Sequence, residues 1–330
     1  MAAPMSDCRK ALESMEPSVL PGGAAPYGNF PDYARFHPPE GRVRLLPTAL
    51  LSRLFPNQRG GPLLGLDVGC NSGELSIALY RHLLGLQDDR GRSEHSMAGM
   101  ELSLLCCDID SELIERAKQR SPFPASVSYV TLDIMDPNTR EPLLHSYLSK
   151  FGRSAFDICF CMSVTMWIHL NHGDSGLVTF LSYLASKCTY LLVEPQPWKC
   201  YRAAARRLRK LGRNDFDHFR SLAINGDMAE EITKILTQDC AMELVCCFGS
   251  TNWDRSLLLF KSTSIAKAEN QMYHAGRTRV DSQIFNSVRG KKILAKMHHH
   301  IHMVVSPAEA VQLFLLLVSL FSSPPPNPPI

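Results

Sequence analysis

A chain of 330 residues with 45% hydrophobic and 20% charged residues has ordinary globular statistics, and its length suits one large domain with appendages. With 35 Lys and Arg against 32 Asp and Glu, the formal charge is only +3, so the balance declares no polyanionic partner and any nucleic-acid site has to come from local clustering. The longest apolar run, 311–321, is short of the roughly 20 residues that cross a bilayer, and the acidic, Pro-containing first twenty residues do not read as a signal peptide.

Residues 1–25 are rich in Pro, Gly and Glu without periodicity and are expected to form a flexible arm. From Pro26 the chain alternates apolar β-type runs with helix-like stretches, the pattern of parallel βαβ units, so one catalytic domain is expected over 26–262. Strands are predicted at 63–67, 102–107, 127–131, 156–161, 190–194, 242–248 and 256–260. Helices are predicted at 72–84, 111–118, 176–185, 199–211 and 229–237. The last two strands follow each other across a short linker, 249–255, and a hairpin closing an otherwise parallel sheet resembles the class I methyltransferase fold. That fold is Rossmann-like α/β with a seven-stranded, mostly parallel sheet of order 3-2-1-4-5-7-6. After Lys261 the pattern lapses into an atypical tail, 263–330, expected to be weakly ordered; its His298, His299, His300 and His302 have no Cys or carboxylate at ligand spacing, so no metal is expected. Eleven Cys, many within apolar runs (Cys106, Cys107, Cys159, Cys161, Cys246, Cys247), read as reduced core thiols of a cytoplasmic enzyme.

The first predicted strand runs into Gly65-Leu-Asp67-Val-Gly69-Cys-Asn71-Ser-Gly73-Glu and then a helix, the context a nucleotide-type loop requires. Its glycines let backbone approach a ligand. In dinucleotide enzymes such a turn holds a pyrophosphate. Asp67 within this loop suits a cofactor with no phosphate and a cationic amino-acid end, S-adenosylmethionine, released after transfer as S-adenosylhomocysteine. Asp108, closing the second strand, is placed to accept both ribose hydroxyls, and one strand later Asp133 and Ile134 are placed for the adenine amine and ring face.

At the fourth and fifth strand ends stand Trp167-Ile-His-Leu-Asn-His-Gly-Asp174 and Glu194-Pro-Gln-Pro-Trp198. With Gly28-Asn-Phe-Pro-Asp-Tyr33, Arg42-Val-Arg-Leu, Leu66-Asp-Val-Gly-Cys-Asn71 and Asp108-Ile-Asp110, they make residues 26–261 similar to the Bicoid-interacting-type RNA 5′-phosphate methyltransferases. The resemblance is greater to the branch acting on a 5′-monophosphate than to the branch capping a γ-phosphate. It implies a transferase that methylates the 5′-monophosphate of RNA, with transfer RNA for histidine and precursor microRNAs as substrates. It also implies cofactor contacts at Arg42, Asn71, Asp108, Asp133, Ile134 and Met162. Two departures stand out: His37 where the γ-phosphate branch has Arg, and Ala203, Ala204 and Ala205 where it has a Lys nearby.

A phosphate monoester, with a second pKa of about 6, already carries the charge to attack a sulfonium methyl, so no general base is expected. Tyr33, His37, His169, Lys199 and Tyr201 are the candidate phosphate-positioning residues. Arg202, Arg206 and Arg209 fall on one helical arc, extended by Arg213, and form a candidate stripe for RNA backbone. A monomer is expected. The competing readings are a class I methyltransferase acting on a small molecule or protein side chain, and an RNA-binding scaffold that has lost turnover.

Overall fold

A computed structural model describes residues 25–48, 50–56, 61–86 and 99–264. The rest of the expected arm, the expected tail from residue 265, its His cluster and the 311–321 run lie outside the described residues. Seven strands form one sheet: β1 (Leu63–Val68), β2 (Leu102–Asp108), β3 (Val127–Thr131), β4 (Phe156–Met162), β5 (Cys188–Glu194), β6 (Met242–Ser250) and β7 (Ser256–Ser262). Their order is β3-β2-β1-β4-β5-β7-β6, with β7 antiparallel to both neighbours and the other pairings parallel. Each predicted strand is present, most of them a residue or two longer than its apolar run.

β1 and β4 are buried along their whole length, which is why their sequences, Leu-Leu-Gly-Leu-Asp-Val and Phe-Asp-Ile-Cys-Phe-Cys-Met, show no polar alternation. The two buried carboxylates this places inside the sheet are each satisfied. Asp157 accepts from the Leu64 backbone N–H at 2.7 Å and from Arg153, and Asp67 accepts from the Ser76 hydroxyl at 2.6 Å. The ten cysteines among the described residues are free thiols, and burial pushes the thiols of Cys70, Cys106, Cys107, Cys159 and Cys161 up, keeping them protonated and inert.

The helices, in chain order, are α1 (Tyr33–Phe36), α2 (Glu40–Val43), α3 (Leu50–Leu54), α4 (Glu74–Leu84), α5 (Ser111–Arg120), α6 (Pro137–Ser149), α7 (Thr165–Lys187), α8 (Trp198–Lys210) and α9 (Met228–Lys234), the last running into a π-helical turn, Ile235–Asp239. The strand order runs in opposite directions from β1, which leaves the carboxyl ends of β1 and β4 at the switch point where open sheets bind ligands. α6 was not predicted: Pro137 and Pro142 obscure it, but Pro137 sits in the first turn, capped by Asp136, while Leu144, Tyr147 and Leu148 reach the core. α7 begins eleven residues earlier than predicted. Gly173, at φ +70°, divides it, and the turns before that kink carry Trp167 and His169. Among the described residues no helix is long and apolar enough to cross a membrane.

Candidate active site

At the carboxyl rim of β1, β2 and β4 lies an open cleft. It is lined by Asn71, Asp108, Asp133, Ile134 and Met162, with Asn29 contributed by the N-terminal segment. Gly69 turns the chain here at φ +74°, and a Cβ would drive into the Val164 side chain, so the loop after β1 requires glycine. Asn71 adopts a left-handed φ of +52°. Its backbone N–H donates to Asp108 Oδ2 at 2.8 Å and its side-chain amide to the Phe30 carbonyl at 3.0 Å.

Asp108 Oδ1 accepts from the Asp110 N–H at 3.0 Å, so each carboxylate oxygen takes one backbone donor and keeps a lone pair. Burial raises its pKa, opposed by those N–H groups. Asp133 Oδ1 accepts from the Met135 N–H, leaving Oδ2 without a hydrogen-bond donor among the described residues. Ile134, Val164 and Ile168 supply an apolar wall. Among the described residues two carboxylates and no Lys or Arg line this cleft, a donor set that suits the hydroxyls and amine of an adenosine better than a pyrophosphate.

The N-terminal segment straps the mouth. Tyr27, Gly28 and Asn29 line the cleft, and the segment is anchored by Asn171 Nδ2 to the Pro26 carbonyl at 3.0 Å and Asn29 Nδ2 to Asp110 at 2.8 Å. Gly28 lies at φ +76° against the Trp167 indole, leaving no room for a Cβ. Arg207 of α8 stacks over Phe30, 4.3 Å from the ring centroid.

A second, smaller cleft shares Tyr33, Gly69, Asn71 and Met162 with the first and adds His37, Arg42 and Asp67. Asp67 is the penultimate residue of β1 rather than a loop residue, because its backbone pairs with Cys106 and Phe160. Burial pushes its pKa up to about 7, against the donation from Ser76 and with repulsion from Asp108. Arg42 is 1% exposed and fully engaged. Its Nε donates to Glu194 at 2.8 Å, Nη1 to the His37 carbonyl at 3.0 Å, and Nη2 to the Tyr33 hydroxyl and to Ser163, each at 3.2 Å. Ser163, at φ +64°, donates to the same Glu194 carboxylate, which also accepts from Trp253 Nε1. His37 packs between Tyr33 and Trp253, its pKa lowered to about 4 by burial and by the adjacent Arg255 and Arg42, so at neutral pH it carries no charge.

Three of the predicted phosphate-positioning residues stand elsewhere. His169 and Tyr201 are completely buried and bonded to each other at 3.2 Å, with His169 Nε2 at 2.7 Å from Asp174. Asp174 in turn accepts from the Ala223 and Ile224 N–H groups, so this polar cluster ties the 222–224 loop to α7, and burial lowers the pKa of His169. Neither His169 nor Tyr201 lines either of the two clefts. Lys199 lies on the surface, more than half exposed and paired with Asp254 at 2.8 Å. Of the five, Tyr33 and His37 line a cleft. The residue that sequence reasoning missed is Arg255, 6% exposed in the β6–β7 turn, with Nη1 2.8 Å from the Tyr33 hydroxyl and 2.7 Å from Ser163 Oγ. Neither motif nor spacing marks it; only the 3-2-1-4-5-7-6 order, which lays β7 beside β5, brings it there.

Arg202, Arg206 and Arg209 are exposed along α8, opposite buried Tyr201, Ala204, Ala205 and Leu208, and Arg213 is exposed just beyond it. Arg209 approaches Asp215 at 3.4 Å, a half-exposed pair of little energetic weight. Among the described residues no three His, Cys, Asp or Glu converge as metal ligands.

The Bicoid-interacting protein 3 (Bin3) family profile matches residues 156–262. The chain is 66% identical over 254 residues to a Bos taurus protein named RNA 5′-monophosphate methyltransferase, covering 77% of this chain and 86% of that one. It is 65% identical over 248 residues to a Homo sapiens protein of the same name, covering 75% and 84%. A Xenopus laevis protein named Pre-miRNA 5′-monophosphate methyltransferase is 60% identical over 251 residues, covering 74% and 95%. With a methyltransferase sheet order, a carboxylate-lined cleft at the sheet's carboxyl rim and relatives of this similarity, the chain belongs to the Bicoid-interacting protein 3 (Bin3) family of methyltransferases.

Proposed function

We propose that this protein methylates the 5′-monophosphate of RNA, using S-adenosylmethionine as donor. The observation that carries the reading is the junction of the two clefts: an adenosine-type cleft opens at Tyr33 and Met162 onto a cluster in which two guanidiniums, Arg42 and Arg255, both donate to the Tyr33 hydroxyl. The similarity to proteins named for that activity supports it.

Asp108 and Asp133 would hold the adenosine, Ile134 its ring face, and Asp67 with Asn71 and Met162 the amino-acid end. When bound, the cofactor supplies an electrophilic methyl on a sulfonium sulfur. The chain's own work is alignment. Tyr33 donates a hydrogen bond to the terminal phosphate and neutral His37 packs beside it, while the buried charge behind them favours a dianion without pairing directly with the attacking oxygen. Alignment of this kind can lower a bimolecular barrier by roughly 7–11 kcal/mol. The strap over the cleft mouth excludes water. Outside the cleft, the Arg202, Arg206, Arg209 and Arg213 stripe tracks the RNA backbone by charge rather than base sequence. Transfer RNA for histidine and precursor microRNA, met by a cytoplasmic monomer, are the substrates this reading favours.

One RNA prepared with a 5′-phosphate and with a 5′-hydroxyl tests the proposal. Methyl incorporation is expected only into the phosphorylated form, and the product is expected to resist phosphatase. Equal incorporation into the 5′-hydroxyl RNA would overturn it.

A further inference from the structure

Arg255 leaves the β6–β7 turn under tight backbone control: its carbonyl accepts from the Thr251 N–H at 2.9 Å and its own N–H donates to Thr251 Oγ1 at 3.2 Å. From there its Nη1 reaches the same two oxygens that Arg42 Nη2 reaches from the other side, the Tyr33 hydroxyl and Ser163 Oγ. These oxygens differ in what remains to them. A hydroxyl has two acceptor lone pairs and one hydrogen. Ser163 Oγ accepts from both arginines and donates to Glu194, so its capacity is used up. The Tyr33 oxygen also accepts from both arginines, but its hydrogen has no acceptor among the described residues, and Tyr33 lines both clefts.

We infer that Arg255 is a positioning residue for the methyl-accepting phosphate: together with Arg42 it occupies both lone pairs of the Tyr33 hydroxyl, so that the phenol addresses the cleft solely as a hydrogen-bond donor. This rests on the RNA 5′-monophosphate reading above and deepens it. A Tyr whose oxygen is free can accept as well as donate, and would suit a sugar hydroxyl or an amine. With both lone pairs occupied it selects a group rich in acceptors and poor in donors, such as a phosphate dianion. The arrangement also keeps the cation one bond removed from the nucleophile. A guanidinium paired directly with the attacking oxygen would draw off the charge the reaction needs, whereas here it acts through a neutral hydroxyl. Glu194 pairs with Arg42, and Arg255 Nε is buried with no partner among the described residues.

A double-mutant cycle separates this role from mere packing. Arg255→Gln is expected to lower kcat/KM for a 5′-phosphorylated RNA by about tenfold or more, while S-adenosylhomocysteine affinity by calorimetry stays within about twofold. Because the effect runs through the phenol, Tyr33→Phe is expected to absorb it: adding Arg255→Gln to Tyr33→Phe costs less than about threefold further. Arg255→Lys, which keeps the charge but not the paired reach, serves where the Gln variant does not fold. It is expected to show a smaller loss, again absorbed by Tyr33→Phe. Losses that multiply in the double variant, single-variant activity within about threefold of wild type, or loss of cofactor affinity in both Arg255 variants would overturn the inference while leaving the function standing. Wild-type protein that ignores the 5′-phosphate would overturn both.

Discussion

Asp108 is 9% exposed, and two backbone N–H groups orient its carboxylate. Alanine there removes both acceptors offered to a ribose and also releases the Asn71 N–H that shapes the loop after β1. Asp108→Ala is therefore expected to weaken S-adenosylhomocysteine binding by about a hundredfold or more, measured by calorimetry, since two charge-assisted hydrogen bonds at about 1.5–3 kcal/mol each are lost. Unchanged affinity would remove the ribose assignment. This carboxylate was legible in the sequence because its position follows from a strand end. His169 and Tyr201 were not, although they lie within segments that carry the family resemblance: a polar residue in a conspicuous motif reads as a ligand, and only burial reveals that each satisfies the other. Arg255 is the opposite case, a side chain without any motif whose partners, Tyr33 and Ser163, are 222 and 92 residues away in the chain.

At the scale of elements, α8 divides its faces cleanly. Tyr201, Ala204, Ala205 and Leu208 are buried while Arg202, Arg206 and Arg209 are exposed, as a 3.6-residue period requires. Reversing the charge of Arg206 and Arg209 to Glu leaves the buried face untouched, so cofactor affinity and fold are expected to stay as they are. RNA binding is expected to weaken by about tenfold or more at low ionic strength, with a shallower salt dependence, measured by filter binding across a salt series. Undiminished affinity would return the stripe to an ordinary solvated face. The central strands β1, β4 and β5 were legible because buried parallel strands are continuous apolar runs, whereas β3 and β6, which are partly exposed, were legible as shorter apolar stretches between turn residues. α6 and the start of α7 were not, since Pro137, Pro142 and Gly173 punctuate them as loops do, and only the packing of Leu144, Tyr147, Trp167 and Leu170 shows that helix continues around them.

Over the molecule as a whole, the strand order does what no single segment announces. Laying β7 between β5 and β6 carries the turn before it to the rim of β4 and β5, so a residue near the end of the domain completes a cluster begun by Tyr33 near its start. The strap formed by residues 25–30 has a similar reach, tied to the loop after β1 through Asn71, to α5 through Asp110, to α7 through Asn171 and to α8 through Arg207. Its consequence is practical. Tyr27, followed by Gly28, offers chymotrypsin a cleavage site in backbone held down by these few bonds, and Asn71, which anchors the strap at Phe30, also lines the ligand cleft. Saturating S-adenosylhomocysteine is expected to slow cutting at the Tyr27–Gly28 bond relative to the empty protein, as mass spectrometry of the digest would record, so that a protease becomes a label-free gauge of how full the enzyme is.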